Sequence, residues 1–240
     1  MSDLHYDLRK LDWVLERAAA VDLLLVSGDL LDIVGRVPLD AQITVALEYL
    51  ARFAEATTTV VCSGNHDLDH RADDGEKATA WIAEARERGA VVDGESVVVG
   101  EWLVSSCAWW EGPNTLARLE AGLDEAAAMR DDRPWLWVYH GPPHGPLAWT
   151  GSKHHGDPEL PRLLEQHQPD VVACGHIHEA PFVPDGAWAE QRGRSWLFNS
   201  GFKRGLVPPH VELDLDRRVA TWWSADRHDE VSFAERAPAA

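Results

Sequence analysis

Five short motifs hold the residue types from which divalent metal sites are built. In chain order they are Asp3-Leu4-His5, Gly28-Asp29-Leu30-Leu31-Asp32, Gly64-Asn65-His66-Asp67, His140-Gly141 and Gly175-His176-Ile177-His178. Each is weak alone. An Asp after a strand caps a helix or turn more often than it binds metal, and a chain with 12 histidines contains stray ones. The later motifs say more. Gly64 permits a tight turn, after which Asn65 and His66 present an amide oxygen and an imidazole at one place. His176 and His178 alternate, and at a strand end such a pair reaches two neighbouring ions. Carboxylate, imidazole and amide oxygen donors suit Mn²⁺, Fe or Zn²⁺. With no thiolate among them, they do not describe a structural zinc site.

Short apolar runs supply the platforms. "DLLLVSGD" (22–29) ends in Asp29 with Asp32 beyond, and "TTTVVCSG" (57–64) leads to Asn65 and His66. "WLWVYHG" (135–141) ends at His140, and "DVVACGH" (170–176) leads to His176 and His178. Helical periodicity lies between them: Leu8, Leu11, Leu15 and Ala18; Ile43, Leu47, Leu50 and Ala54; Leu160, Leu163, Leu164 and His167. A fourth helix is expected across Leu116, Leu119 and Leu123, capped near Asn114. This alternation predicts βαβ units and a largely parallel central sheet, with ligands gathered at the carboxyl ends of strands. Further strands follow. "ESVVVGEWLVSSCAW" reads as a hairpin through Gly100, and "SWLFNSG", "HVELDLD" and "RVATWWS" as three more, the last two joined at Asp216 and Arg217. The expected fold class is α/β: a four-layer α/β/β/α sandwich of two packed mixed sheets flanked by helices. A single domain is expected over residues 1–230, with 231–240 a flexible tail.

The first motif breaks the rule of the other four. Asp3 and His5 ask for an apolar run of about five residues before them, and Met1 and Ser2 stand there. The expectation is a first strand that is missing or truncated. Restoring upstream residues should raise stability and first-site metal affinity.

Composition sets outer bounds. A formal charge of −18 lacks the basic patch that phosphate backbones require, so nucleic acid and anionic membranes are poor partners. No apolar run approaches the roughly 18–20 residues of a membrane span. The opening "MSDLHYDLRK" has no hydrophobic signal core, which reads as a cytoplasmic protein. Cys62, Cys107 and Cys174 are odd in number and lie in apolar runs, as free buried thiols would. Oligomeric state leaves no mark on the sequence.

The five motifs, in this order and each at a predicted strand end, resemble those of the calcineurin-like metallophosphoesterases. The stretch from "VYHGPPHG" to "GHIHEAPF" is further similar to small single-domain phosphodiesterase-type members, whereas "GDLLDIVGR" lacks the Asp-Arg-Gly continuation of the protein Ser/Thr phosphatases. The resemblance implies a binuclear centre. Asp3, His5 and His178 would hold one ion, Asn65, His140 and His176 the other, and Asp29 would bridge them. Mn²⁺ is the first choice of metal, with Fe or Zn²⁺ next. It implies attack on a small phosphodiester by a metal-bridging hydroxide. His66 would contact the phosphate or protonate the leaving oxygen, oriented by Asp32. Asp32 reads equally well as a helix cap. His144, Lys153, His154 and His155 lie on a long loop that either lines the substrate cleft or is simply solvated. Trp109 and Trp110 read as core packing, with base stacking as the other possibility. A phosphomonoesterase, a nuclease and a non-catalytic scaffold of the same fold are the alternatives.

Overall fold

The computed structural model describes residues 1–234. The chain opens with helix α1 (Leu8–Ala18), strand β1 (Leu23–Ser27), helix α2 (Leu39–Ala56) and strand β2 (Thr58–Cys62). A small hairpin, β3 (His70–Arg71) and β4 (Lys77–Ala78), and a short helix α3 (Ala83–Glu87) follow. Next come β5 (Ser96–Val99), β6 (Trp102–Ser106), α4 (Pro113–Met129), β7 (Trp135–Val138), α5 (Leu160–His167) and β8 (Val171–Cys174). The chain closes with β9 (Ala189–Arg192), β10 (Ser195–Asn199), β11 (His210–Asp214), β12 (Val219–Ser224) and β13 (Arg227–Ser232).

Side-chain alternation along the strands builds the layers. Leu24, Val26 and Val61 point into a core shared with α1 and α2, where Leu11, Val14, Leu47, Leu50 and Phe53 are buried. Val60 and Cys62 point the other way, into a core between sheets with Leu136, Val138, Val171 and Phe198. On β7 the intervening Trp135 and Trp137 face a third core, with Leu119 and Leu123 of α4 and Leu160 and Leu163 of α5. Strands buried on both faces read as near-continuous apolar runs, as these four do. The result is helix, sheet, sheet, helix. One sheet has six strands in the order β5-β6-β7-β8-β10-β9, parallel from β6 to β10 with antiparallel strands at both edges. The facing layer is in two pieces, a parallel β1–β2 pair and an antiparallel β11-β12-β13 sheet. The thiols of Cys62, Cys107 and Cys174 are free and buried. No helix among the described residues is long and apolar enough to cross a membrane.

Several local expectations are corrected. Leu8 is 42% exposed and its place on the buried face of α1 is taken by Val14 and the stem of Lys10. Residues 3–6 are hydrogen-bonded along the chain after β1, so the helix leaves in a fixed direction that turns Leu8 outward. On α2, Phe53 rather than Ala54 completes the buried stripe. Helix α4 is capped from a distance: the Glu76 carboxylate accepts the Asn114 and Thr115 N–H groups at 2.9 and 2.7 Å, and Asn114 caps nothing. Part of the segment expected as a tail, 231–240, is ordered in the sheet layer. Val231 and Ser232 end β13 and Phe233 is 4% exposed in the inter-sheet core, while 235–240 lie outside the described residues.

Candidate metal centre

The segments that follow β1, β2, β7 and β8 converge with the first residues of the chain. Asp3, His5 and Asp29 hold positive φ values of 56°, 45° and 56°, and His176 one of 68°. Left-handed backbone is uncommon for such residues and concentrates where a site over-determines it. Two glycines let the loops close. Gly28 has φ +81° and a Cβ there would stand 2.5 Å from His140 Nδ1. A Cβ on Gly175 would stand 2.6 Å from an Asp3 carboxylate oxygen.

Three groups of side chains are spaced to hold a cation: Asp3, His5 and His178; His5, Asp29 and His66; Asp29, His140 and His176, with ligand atoms in each within 4.8 Å of one another. In the first, His178 Nε2 lies 3.2 Å from Asp3 Oδ1 and 3.1 Å from His5 Nε2. In the third, His140 Nε2 lies 3.3 Å from Asp29 Oδ2 and 3.2 Å from Asn65 Oδ1. Asp29 belongs to two groups, and its Oδ1 accepts the His66 N–H at 2.8 Å.

The histidine tautomers fit metal ligation. His140 Nδ1 donates to the Ser27 carbonyl at 2.7 Å, and His5 Nδ1 faces the Leu31 carbonyl at 3.3 Å. Each ring thereby turns its Nε2 inward, toward the cluster, the orientation that outer-shell carbonyls impose on ligating histidines. Charge is balanced locally. Burial works against the Asp3 carboxylate, yet the hydrogen bond from His178 and the nearby imidazoles hold it well below the usual carboxylate range. Burial likewise opposes a charge on His140, and adjacent Asp29 outweighs it, raising its pKa to about 9. Burial, with the neighbouring His140 charge, pushes His176 down to about 4, leaving that ring neutral and free to ligate. The acids and imidazoles of the cluster are mostly buried and compensate one another in charge.

Asp67 holds the loops together. It is fully buried, and its carboxylate accepts N–H groups from Asp29 and Gly64 (both 2.8 Å) and Leu31 (3.0 Å).

Asp32 does not orient His66. Its Oδ1 accepts the Val34 N–H at 3.0 Å, a turn cap, while His66 Nδ1 is buried without a partner. His144, Lys153, His154 and His155 are all exposed. The His144 and His154 rings pack on each other at 4.8 Å, and His154 also on Trp149 at 4.7 Å. Among the described residues no hydrogen bond or ring contact joins these histidines to the metal-type groups. Two aromatic residues stand at the site: Trp109, for which core packing is the preferred reading of the sequence, and Phe202, which the sequence does not single out. Trp109 packs 5.4 Å from both His140 and His176, so it is a site wall and not core. Phe202 packs 4.8 Å from His178 and 5.6 Å from His5, with Lys10 Nζ over its ring, 3.6 Å from the centroid. Trp110 is core packing, its indole N–H donating to Asp157 at 2.9 Å. The available signal was position: Trp109 follows β6 and Phe202 follows β10, as the ligand motifs follow their strands.

A partly buried acid supports Trp109. Ser63 donates to the Asp93 carboxyl from N–H (2.8 Å) and Oγ–H (2.6 Å), and its Oγ accepts the Trp109 N–H at 2.9 Å. Burial pushes Asp93 up from 3.8 to about 6. A raised carboxyl favours the protonated folded form, so its stability contribution is complete below pH 3.8 and falls away as pH rises to about 6. Asp93→Asn is therefore expected to gain on the parent chain across that window, by about 3 kcal/mol at most. Urea midpoints at pH 4.5 and 7 check this; a constant difference between the two proteins would refute it.

The family model for calcineurin-like phosphoesterases matches residues 1–180. The chain belongs to that family, so it is a phosphoesterase of a class that works with divalent metal ions. Among solved structures, TT1561 of Thermus thermophilus superposes with a TM-score of 0.58 at 17% identity, over 97% of this chain and 96% of that one. GAP50, the anchor in the inner membrane complex of Plasmodium, does so with a TM-score of 0.54 at 10% identity, over 97% and 87%. Both likenesses concern the fold alone. No curated protein matches.

Proposed function

We propose that the protein is a two-metal phosphodiesterase. In this reading Asp3, His5 and His178 hold one divalent ion and Asn65, His140 and His176 the other, with Asp29 reaching both. Mn²⁺ is the first choice, Fe or Zn²⁺ the next. The observation that carries the reading is the convergence of donors from all five motifs on one strand-end cluster, in which Asp29 groups with His140 and His176 on one side and with His5 and His66 on the other. Two ions held there would supply an activated water and charge neutralisation for the phosphoryl oxygens. The protein's own groups do the rest. Ser27 and Leu31 carbonyls fix the ligand tautomers. His66, one nitrogen of which lies beside Asp29 and His5, meets the phosphate or protonates the leaving oxygen. Trp109 and Phe202 wall the site on either side. His144, His154 and His155 are the candidates for a substrate-facing rim.

The substrate of this proposal is a small soluble diester in the cytoplasm. The diester preference rests on the resemblance of the 138–182 stretch, and the net charge of −18 disfavours nucleic acid. A scaffold role, suggested by the fold shared with a Plasmodium anchor protein, is the second reading. A scaffold needs none of these donors, so their grouping within ligand distance of one another favours the enzyme. Bis(p-nitrophenyl) phosphate and p-nitrophenyl phosphate, offered side by side to Mn²⁺-loaded protein, separate the readings. Faster diester turnover supports the proposal, faster monoester turnover replaces its substrate class, and no turnover on either favours the scaffold.

A further inference from the structure

The imidazoles of the cluster are not all held alike. His5 and His140 each set Nδ1 against a backbone carbonyl, Leu31 at 3.3 Å and Ser27 at 2.7 Å. His178 has no such support. Its Nε2 lies 3.2 Å from Asp3 Oδ1 and 3.1 Å from His5 Nε2, and among the described residues no hydrogen bond reaches its Nδ1. Its side chain is also the most open of that group, 33% exposed against 12% for His5 and 0% for Asp3. What stands beside the ring is Phe202, 4.8 Å away between centroids and tilted by 37°. The backbone brings Phe202 there. Its N–H donates to the His178 carbonyl at 3.1 Å after a left-handed turn at Gly201, where a Cβ would stand 2.9 Å from that carbonyl oxygen. Buried Asn199 ties the turn to the same segment: its Nδ2 donates to the Ile177 carbonyl at 2.9 Å and its Oδ1 accepts the Gly201 N–H at 2.8 Å.

These bonds place the Phe202 backbone but leave its ring free to turn. Lys10 of α1 supplies the contact that holds the ring, with Nζ 3.6 Å from its centroid. Lys10 is 1% exposed, and among the described residues no hydrogen bond or ion pair reaches its ammonium. Lysine is rarely buried without a partner. Here the aromatic face is the partner, and cation–π attraction is strongest where the cation has lost its water. Burial lowers the Lys10 pKa to about 8, which leaves the side chain charged at pH 7.

We propose that Lys10 is a positioning residue of the metal centre: its ammonium pins the Phe202 ring, and the ring does for the His178 imidazole what backbone carbonyls do for His5 and His140. This role rests on the two-metal reading, in which His178 shares an ion with Asp3 and His5. The sign of the effect separates positioning from charge. A nearby ammonium repels a metal ion, so loss of the charge alone would tighten metal binding, whereas loss of the hold on His178 weakens it.

The test uses the full chain at pH 7 with two variants, Lys10→Met, which keeps the stem and removes the charge, and Phe202→Leu. In calorimetric titration with Mn²⁺, one of two ions should bind about 3- to 10-fold more weakly to Lys10→Met. For Phe202→Leu the loss should be about 10-fold or more, the scale of outer-shell support, with the other ion within about twofold. In the Phe202→Leu background Lys10→Met should weaken binding no further. In the metal-free chains the Cδ2–H and Cε1–H NMR signals of His178 should move in both variants, while those of His140 stay and report an intact fold. Tighter or unchanged binding by Lys10→Met would overturn the proposal, as would unmoved His178 signals or additive losses in the double variant. A parent chain that binds fewer than two ions would instead sink the two-metal reading, and the His178 signals then decide the role of Lys10 by themselves. If one variant does not fold, the other carries both readouts.

Discussion

Asp29→Asn is expected to lower metal-dependent hydrolysis by more than about 100-fold, beyond what loss of an outer-shell partner costs. The substitution keeps the shape of the side chain. Its amide oxygen can still accept the His66 N–H now bonded to Oδ1 at 2.8 Å, so the turn after β2 stays in place. What it removes is the negative charge 3.3 Å from His140 Nε2 and the one carboxylate shared by two of the cation-sized groups. The metal-free variant should stay folded but be less stable than the parent at neutral pH, because buried His140 loses its charge partner, while its metal content, read by mass spectrometry after loading with Mn²⁺, should fall below that of the parent. A variant that keeps a third or more of the activity would show that Asp29 is not shared between ions.

The second large effect concerns proton transfer. His66→Ala is expected to reduce kcat by about 10²- to 10³-fold, the range for a positioned general acid, with metal content unchanged. The loss should be greater for an alkyl diester than for a p-nitrophenyl one, because p-nitrophenolate leaves with little help. Asp32→Asn should change kcat by less than about threefold, since Asp32 caps the Val34 turn and His66 Nδ1 has no partner. If both variants lose activity together, the two residues act as a pair during turnover. If His66→Ala instead releases metal, His66 is a ligand.

The layers were legible because burial on both faces writes itself into composition. Runs such as Trp135–Val138 and Val171–Cys174 have no alternation to confuse, and their polar ends marked the site. The α5 stripe of Leu160, Leu163, Leu164 and His167 is buried as its spacing implies. The α1 stripe was misread at Leu8 because a tether set the helix face, not periodicity alone. Long-range partners were invisible for the same reason. Nothing near Asn114 announces that Glu76 will cap its helix, and a carboxylate spaced as Asp32 is reads alike as a cap or as a histidine's partner. Trp109 and Phe202 were hidden by their type. Aromatic residues are common in cores, and only the folded chain brings these two against ligand imidazoles.

The central claim is that one centre both holds the ions and hydrolyses the ester. Metal-stripped protein titrated with Mn²⁺, with heat of binding and bis(p-nitrophenyl) phosphate hydrolysis followed on the same sample, tests it most directly. Activity should rise with metal and level off at two ions per chain, as the convergence of Asp3, His5, Asn65, His140, His176 and His178 around Asp29 implies. A folded protein that binds two ions and hydrolyses neither a diester nor a monoester, or one that turns over equally without metal, would contradict it.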